Sequence, residues 1–518
     1  MSTTPSRPPV FAAARFRADF FPWAIALATG IDYFDNSMFS FFTSYIAGGL
    51  NASPDELVWS ATAYAVASVL GILQQQWWVE RIGYRRYVSG CLLLFAAGAV
   101  AAAASETSFE LALARGMQGY FIGPMMSASR ILLQISFTPQ QRAGATRKFL
   151  SMILLGSALA PLIGGYLVAH ADWRALFMCS AVGGVALALI AFLAVPSSGR
   201  VQPEKRGDAH LWPYLIFAFA QGALLIVMQQ VRFELFSRSP GLVFLTIAGL
   251  LSLGWFVWHQ WHHPKPLMRL HALREKTFQS GILLYIMFYY MSNALGYLSS
   301  RFLEGGLGYP VENAGRLVGL TSLASLLMAF VYFRVSARVT HKKWMIVPGF
   351  MLAVLICVWM ISMPPDVSTP WLVAPLVLRG MLLLFIALPV ANVTFRIFAI
   401  EEFHHGYRFK NIVKQLTYSF STATMIILEQ HRLALHQSRL AESVNPYNPV
   451  FQNTFDTLTR VFEGLGRTAG EARGLALVEI SRTVARQASF LSALDGYYFV
   501  IGIAICGGLF AIWQKQID

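Results

Sequence analysis

Charged residues are scarce in this chain of 518 residues. Asp, Glu, Lys and Arg make up 13% of the sequence, against ~25% in soluble domains, and 56% of the residues are apolar. This composition excludes a disordered chain and argues against a water-soluble globule.

Cysteine is also scarce, and the usual nucleotide motif is absent. The four cysteines stand far apart in apolar stretches, without a CxxC pair or a His at ligand spacing. That spacing indicates neither a disulfide framework nor a zinc site, so we expect no metal and no bound cofactor. No GxxxxGK[ST] loop is present to bind a nucleotide.

The apolar residues are gathered into long runs. Because a helix needs ~20 apolar residues to cross the hydrocarbon core, these runs predict an all-α polytopic membrane protein with 14 transmembrane helices. The predicted spans are 22–45, 57–78, 87–104, 109–131, 149–169, 174–196, 211–231, 241–262, 278–300, 314–335, 343–363, 370–395, 411–431 and 491–514.

Lys and Arg alternate between the two sides of this topology. With the N-terminus inside, the inner segments carry one to four of them each, and the six short outer loops carry at most two. The positive-inside rule therefore predicts that both termini are cytoplasmic. Most of the net charge of +14 is explained by topology, so we expect no nucleic-acid partner.

Two short patterns occur twice in the same order. Residues 81–87 follow span 2, and residues 338–344 follow span 10. In both segments an Arg is followed by a β-branched residue, any residue, an aromatic residue, two basic residues and a second aromatic residue. Residues 113–117 of span 4 are similarly echoed at 378–381 of span 12. The repeat predicts two six-helix halves with spans 7 and 8 inserted between them, the build of transporters whose substrate site lies between the halves.

The expected organisation follows from the spans and the repeat. It comprises a cytoplasmic N-terminus at 1–21, a first half at 22–196, a linker with the two inserted spans at 197–276, and a second half at 277–518 that includes an outer segment at 432–490.

Few ionisable residues lie inside the spans, and each is a functional candidate because a charge at the bilayer centre costs at least ~2.5–3.5 kcal/mol. Asp32 and Asp35 share one face of span 1, and Arg115 enters span 4 from the outer side. Burial favours the neutral form of a carboxyl group and a nearby Arg favours the ionised form, so movement of Asp32 relative to Arg115 would load or release a proton. The alternatives are a static salt bridge or an aspartate in a water-filled vestibule. The sequence leaves open which aspartate titrates.

Other polar residues in the spans are candidates for substrate binding. Each of them alone is also explained by a bond to a neighbouring helix, or by an interfacial aromatic belt in the case of the tyrosine. They are Asn36, Gln118, Tyr289, Asn293, Arg379 and Asn392.

Span 5 is rich in small residues and contains a proline. Small residues let helices approach closely, and a proline kinks the span. Tight packing alone would explain the pattern, and so would a gating role. The residues concerned are Gly156, Pro161, Gly164 and Gly165.

From about residue 22 to 514 the chain resembles the 14-span drug/proton antiporters of the major facilitator superfamily, the EmrB/QacA type. Asp32 falls on the acidic position of that family's span-1 motif, although Phe34 replaces a Thr. Arg115 and Gln118 match its span-4 motif, which in relatives is linked to proton transfer. The span-5 residues match the antiporter motif, with Ala160 in place of its second Gly.

The loop after span 2 is similar to the superfamily's gating loop. Glu80 stands for the usual Asp, and a Gln is found where a Gly is expected at position 76. The resemblance implies gating roles for Glu80, Arg81, Gly83, Arg85 and Arg86.

The resemblance implies a major facilitator fold and proton-coupled export of amphipathic organic compounds (drugs, dyes, toxic metabolites) across the bacterial inner membrane. It also implies a periplasmic adaptor protein and an outer-membrane channel as partners, with the segment 432–490 either docking the adaptor or capping the transport path. The open alternatives are a dedicated exporter of one metabolite or siderophore-like organic anion, an importer, and a membrane-embedded enzyme. We expect no enzyme, because the nearest approach to a catalytic group is His404 beside His405 in a loop.

Overall fold

The regular structure is helical throughout the part of the chain that is described. The computed structural model describes residues 9–202, 211–230, 239–263, 266–267, 270–336, 339, 341–398 and 400–516. The first nine helices are α1 (Pro9–Phe41), α2 (Thr43–Gly49), α3 (Pro54–Ala103), α4 (Ser108–Ile122), α5 (Met125–Ser136), α6 (Pro139–His170), α7 (Arg174–Ala194), α8 (Leu211–Gln230) and α9 (Pro240–His262). The other eight are α10 (Lys276–Arg301), α11 (Val311–Ser336), α12 (Lys343–Ile361), α13 (Thr369–Leu382), α14 (Leu388–Thr394), α15 (Ile400–Ala441), α16 (Pro449–Gly464) and α17 (Ala469–Trp513).

Some sequence predictions fall outside these residues. Residues 1–8 of the expected N-terminal segment, Arg338 and Thr340 of the second repeat motif, and the side chain of His404 lie outside the described residues.

Ten of the described helices are long and apolar enough to cross a membrane. One of them, α3, contains both predicted spans 2 and 3. The predicted spans 1, 4 and 13 are not among the ten, and these spans correspond to α1, to α4 with α5, and to α15. Two of the three are interrupted by charges within the helix, and span 4 is divided into two short helices at Gly123 and Pro124. The polytopic all-α class is confirmed, and the number fourteen stays a prediction.

The two arms of α3 join at Gly83. This residue has φ 80° and ψ 159°, a conformation that strains any residue with a Cβ atom. The chain that follows α7 closes onto the break, because the Tyr84 amide donates to the Ser198 carbonyl at 2.8 Å and the Val201 amide donates to the Glu80 carbonyl at 2.9 Å. The predicted gating loop is therefore a sharp corner between two helices.

Spans 4 and 12 are both interrupted part-way. In span 4 the break at Gly123 separates α4 from α5, and in span 12 a π-helical segment, Leu383–Ala387, separates α13 from α14. Such π segments are frequent at functional sites. Interruption at corresponding places is what the repeat leads us to expect, and the boundaries of the two halves stay a prediction.

Each half has its own core, and the halves meet along two seams. One seam runs between α6 and α11, and the other runs where α15 packs on α3 and α5. The hairpin of α8 and α9 lies beside α3 and α15, and the Gln221 amide donates to the Val66 carbonyl at 2.7 Å.

Helix α6 is held closely between α1 and α11 by small residues. A Cβ atom on Gly156 would lie 2.3 Å from the Gly30 carbonyl oxygen, and one on Gly315 would lie 2.6 Å from the Pro161 carbonyl oxygen. Gly164 packs against Phe42. The small residues predicted from the sequence thus lie at helix contacts, as tight packing requires.

The segment 432–490 is helical and extends away from the seams. It comprises the end of α15, all of α16 and the first part of α17, with α16 packed on α17. Large apolar side chains are exposed along it, including Tyr447 at 93% and Val450 at 72%. The predicted spans 13 and 14 therefore continue as helices beyond their expected ends.

Replacing Gly156 with Ala is expected to lower the midpoint of thermal unfolding, because overpacking a tight contact costs about 1–3 kcal/mol. Gly254→Ala in α9 is the control, since nothing lies within 4 Å of a Cβ atom there. Unfolding of the purified protein in detergent, followed by fluorescence, measures both. Equal stability of the two variants would contradict the contact between α1 and α6.

Candidate functional site

Two buried carboxylates lie one turn apart on α1. Asp32 is 1% exposed and Asp35 is 2% exposed. The Asp32 Oδ1 atom accepts a hydrogen bond from the Tyr64 hydroxyl at 2.8 Å and one from the Asn36 amide at 2.9 Å. Asn36, predicted as a substrate residue, therefore supports Asp32 from the next turn of α1.

Asp35 is paired with Arg115. The Arg115 Nη1 atom lies 2.5 Å from the Asp35 Oδ2 atom and donates to the Gln118 Oε1 atom at 3.0 Å. The Gln118 amide in turn donates to Asp35 at 3.4 Å. The guanidinium also lies over the rings of Phe39, at 4.4 Å, and Tyr64, at 4.3 Å. Such stacking favours a desolvated cation.

The sequence hypothesis coupled Asp32 to Arg115, whereas the structure pairs Arg115 with Asp35. The two aspartates are close enough for their charges to act on each other, and Tyr64 contacts both systems, through its hydroxyl and through its ring. The charge of Lys414 on α15 acts on Asp32, and the Lys414 Nζ atom reaches α1 at the ring of Tyr33, the residue after Asp32.

Two buried lysines on α15 were missed by the sequence reasoning. Lys410 is 2% exposed and Lys414 is 4% exposed. Lys410 lies just outside the predicted span 411–431, where it counts as an inner-loop charge, and Lys414 lies inside that span but is not among the predicted site residues. Polar residues four and three apart, at Lys410, Lys414, Tyr418 and Ser421, were the available signal, since this spacing places them on one helix face.

Tyrosine rings surround both ammonium groups. The Lys410 Nζ atom lies 4.2 Å from the centre of the Tyr407 ring, 5.6 Å from Tyr285 and 5.8 Å from Tyr289. The Lys414 Nζ atom lies 4.2 Å from the Tyr33 ring and 5.5 Å from Tyr418. These seven residues are called the tyrosine–lysine cluster below. The cluster joins the two halves, because Tyr33 belongs to α1 and the other six belong to α10 and α15.

Of the other residues predicted for substrate binding, one belongs to the cluster and the rest lie elsewhere. Tyr289 belongs to the cluster, and the Asn293 amide donates to the Thr422 hydroxyl at 2.9 Å, which ties α10 to α15. Arg379 donates to the Leu295 carbonyl at 3.2 Å. Asn392 is exposed on α14.

The predicted gating residues lie around the break in α3. The Gln76 amide donates to Glu80 at 3.0 Å, and the Arg81 guanidinium lies 3.8 Å from the centre of the Trp77 ring. Arg85 donates to the Val195 carbonyl at 2.7 Å, whereas Arg86 is exposed. The Arg85 bond and the corner at Gly83 together fix the end of α7 to α3.

We find no candidate metal-binding site in the part of the chain that the structure describes. No three His, Cys, Asp or Glu side chains there are grouped so as to hold a metal ion. His405 lies 3.0 Å from the Arg408 guanidinium. What the site offers is buried charge between helices, which suits ion and substrate movement.

Asp35→Asn and Arg115→Gln are each expected to lower the free energy of unfolding by about 3–5 kcal/mol, because removing one partner leaves the other charge buried. The double variant is expected to lose less free energy of unfolding than the sum of the losses in the two single variants. Asp172→Asn is the control, because its pair with Arg174 is largely exposed and worth at most ~1 kcal/mol. Denaturant unfolding of the four proteins measures the effect, and additive losses would contradict a coupled buried pair.

Comparison with known proteins agrees with this architecture. Residues 25–420 match the sequence model of the Major Facilitator Superfamily. The chain is 22% identical over 480 residues to the multidrug export protein EmrB of Escherichia coli (strain K12), which covers 93% of this chain and 92% of that protein. It is 22% identical over 470 residues to the probable multidrug resistance protein EmrY of the same organism, covering 91% and 90%.

Solved transporters share the fold. A bacterial homolog of the human lysosomal transporter Spinster, in an inward-facing and unoccupied conformation, superposes with a TM-score of 0.59 at 13% identity, over 96% of this chain and 99% of that chain. The peptide transporter POT superposes with a TM-score of 0.56 at 14% identity, over 95% of both chains. The resemblance found in the sequence is confirmed: this chain belongs to the Major Facilitator Superfamily of membrane transporters.

Proposed function

We propose that the protein is a proton-coupled antiporter that exports amphipathic organic compounds across the bacterial inner membrane. The observation that carries the proposal is the buried carboxylate Asp32 on α1, on which the charge of Lys414 acts from α15 in the other half. The names of the multidrug export relatives support the direction and the broad substrate class.

The proton acts by changing the attraction between the halves. Ionised Asp32 attracts the Lys414 ammonium, and protonated Asp32 does not. Lys414 lies in the first half of α15, and the start of this helix is on the predicted cytoplasmic side. Protonation of Asp32 therefore favours opening on the inner side, and loss of the proton favours closure there.

The pair of Asp35 and Arg115 has a different role. Both residues belong to the first half, so their separation does not depend on how the halves move. The Arg115 ring contact with Tyr64 holds the hydroxyl that donates to Asp32. The pair of Asp35 and Arg115 thus positions the Asp32 carboxylate. The proton gradient supplies the energy for transport, and no cofactor takes part.

The magnitudes are sufficient for export. One charge crossing 100 mV supplies ~2.3 kcal/mol, which at ~1.4 kcal/mol per tenfold sustains roughly a 50-fold concentration gradient of the substrate. The chain acts as a transporter and not as an enzyme, with both termini cytoplasmic and the two six-helix halves as its moving bodies.

The exposed apolar residues of the segment 432–490 suit a protein partner. We assign to this segment the docking of a periplasmic adaptor that leads to an outer-membrane channel. Helix α16 carries apolar and polar residues on different faces, as helices that bind in a groove do. A capping role over the transport path is the alternative.

Asp32→Asn is expected to abolish the dependence of efflux on a pH gradient while leaving the protein folded, because the amide cannot exchange a proton. Efflux of dyes, phenolic acids and antibiotics from proteoliposomes under an imposed pH gradient is the measurement. Asp366→Asn is the matched control, since Asp366 is exposed between α12 and α13. Gradient-driven efflux by Asp32→Asn at the control rate would refute the role of Asp32.

A further inference from the structure

We propose that Lys410, with Arg130 and the tyrosines around it, binds the negatively charged group of an aromatic organic anion. The substrate class is thereby an aromatic carboxylate or a similar anion. This inference rests on the proposed function as an exporter and names the substrate of the same central site.

The charges between the halves do not balance. Arg115 is neutralised by Asp35, and the charge of Lys414 acts on Asp32. Among the described side chains, Lys410 makes no ion pair and no hydrogen bond, and its contacts are three tyrosine rings.

A second cation stands close to Lys410. Arg130 on α5 donates to the Thr146 hydroxyl at 2.8 Å, and its charge acts on Lys410 and on the rings of Tyr285 and Tyr407. It forms no ion pair with any described carboxylate. The charges of two cations from opposite halves therefore act on each other where α5 packs on α15, and a bound anion would stabilise both of them.

The sequence of α15 offers Lys410 no acidic neighbour. No Asp or Glu occurs between Glu402 and Glu429. At 1.5 Å per residue, the backbone of Glu402 is about 12 Å from that of Lys410 along the helix axis. A buried cation without a carboxylate is costly, so its retention at 2% exposure points to a ligand that supplies the missing charge.

Unsatisfied polar atoms lie on the same seam. Both amide atoms of Asn411 and the Nε2 atom of Gln75 are buried without a hydrogen-bond partner in the described part of the chain. Gln415, one turn after Asn411, donates to the Ser68 hydroxyl at 3.1 Å, which places this face of α15 against α3. Buried polar groups are normally paired, so these atoms mark a surface that meets water or a polar ligand when the halves part.

The tyrosines indicate that the anion carries an aromatic ring. Tyr285 and Tyr289 are stacked at 5.4 Å, and Tyr289 meets Tyr418 edge to face at 5.7 Å. Aromatic pairs prefer these two geometries, so a planar ligand can stack on or insert between the rings while its charged group reaches Lys410. A ring with a carboxylate satisfies both parts of the site.

The test compares three ligands that share one ring system. The probes are 2-naphthoate, 2-naphthylmethanol and 2-naphthylmethylammonium, bound to the purified full chain in nanodiscs and followed by calorimetry. We expect the wild-type protein to prefer the anion. Lys410→Gln is expected to weaken naphthoate binding by about ten- to hundredfold, as loss of a hydrogen bond to a charged group does, and to leave naphthylmethanol binding within about twofold.

Two further variants separate charge from structure. Lys410→Arg is expected to restore most of the preference for naphthoate, and Lys515→Gln, at an exposed site, is expected to have no effect. Lys410→Gln is also expected to raise the midpoint of thermal unfolding without ligand, because it removes a buried uncompensated charge. Equal binding of all three probes by the wild-type protein, or an equal loss for all three in Lys410→Gln, overturns the proposal.

Transport distinguishes this proposal from the proposed function. Lys410→Gln is expected to lower pH-gradient-driven efflux of naphthoate by a larger factor than that of neutral dyes. If neutral dyes are exported and the anion has no advantage, the substrate class is wrong and the antiporter stands. If the anion binds through Lys410 but no gradient-driven efflux of any compound occurs, the antiporter is wrong and the anion site stands.

Discussion

A charge inside a bilayer has to be compensated by another charge, and this constraint decides which helices occupy the middle of the protein. Insertion of an unpaired charge costs at least ~2.5 kcal/mol, so charged helices are shielded by apolar ones. The predicted spans that fail the test for an apolar membrane helix correspond to α1, to α4 with α5, and to α15. These helices carry Asp32, Arg115 and Lys410. Helix α5 packs on both α1 and α15, and the pair of Asp35 and Arg115 joins α1 to α4.

The sequence was sufficient for the charges whose context is apolar. Asp32 and Asp35 interrupt a clear hydrophobic run, and helical periodicity alone places them on one face. Lys414 could not be recognised in this way, because it stands near the start of the predicted span 411–431, where a loop lysine and a buried lysine have the same sequence signature. The positive-inside rule already accounts for a Lys at this position as an inner-side charge, so nothing in the sequence pointed to its burial. Which aspartate meets Arg115 was likewise beyond sequence reasoning, because helix rotation between α1 and α4 decides it.

A charge pair within one half differs in function from a charge pair between the halves. The pair of Asp35 and Arg115 is internal to the first half, so it stays formed while the halves rock. The attraction between Asp32 and Lys414 crosses the seam, and its strength depends on whether the halves are together. A coupling group needs the second property, because a ligand shifts a conformational equilibrium only through interactions that differ between the two states.

In the proposed mechanism, proton and anion act on closure of the inner side in opposite ways. Closure around the tyrosine–lysine cluster desolvates both lysines, so it is most favourable when each has a negative partner. Lys414 obtains that partner when Asp32 has lost its proton, and Lys410 obtains it when the anion is bound. The inner side therefore closes most readily when the anion is bound and Asp32 has lost its proton. Protonation of Asp32 removes one partner and favours opening on the inner side, so the two ligands cross in opposite directions, which is the condition for antiport.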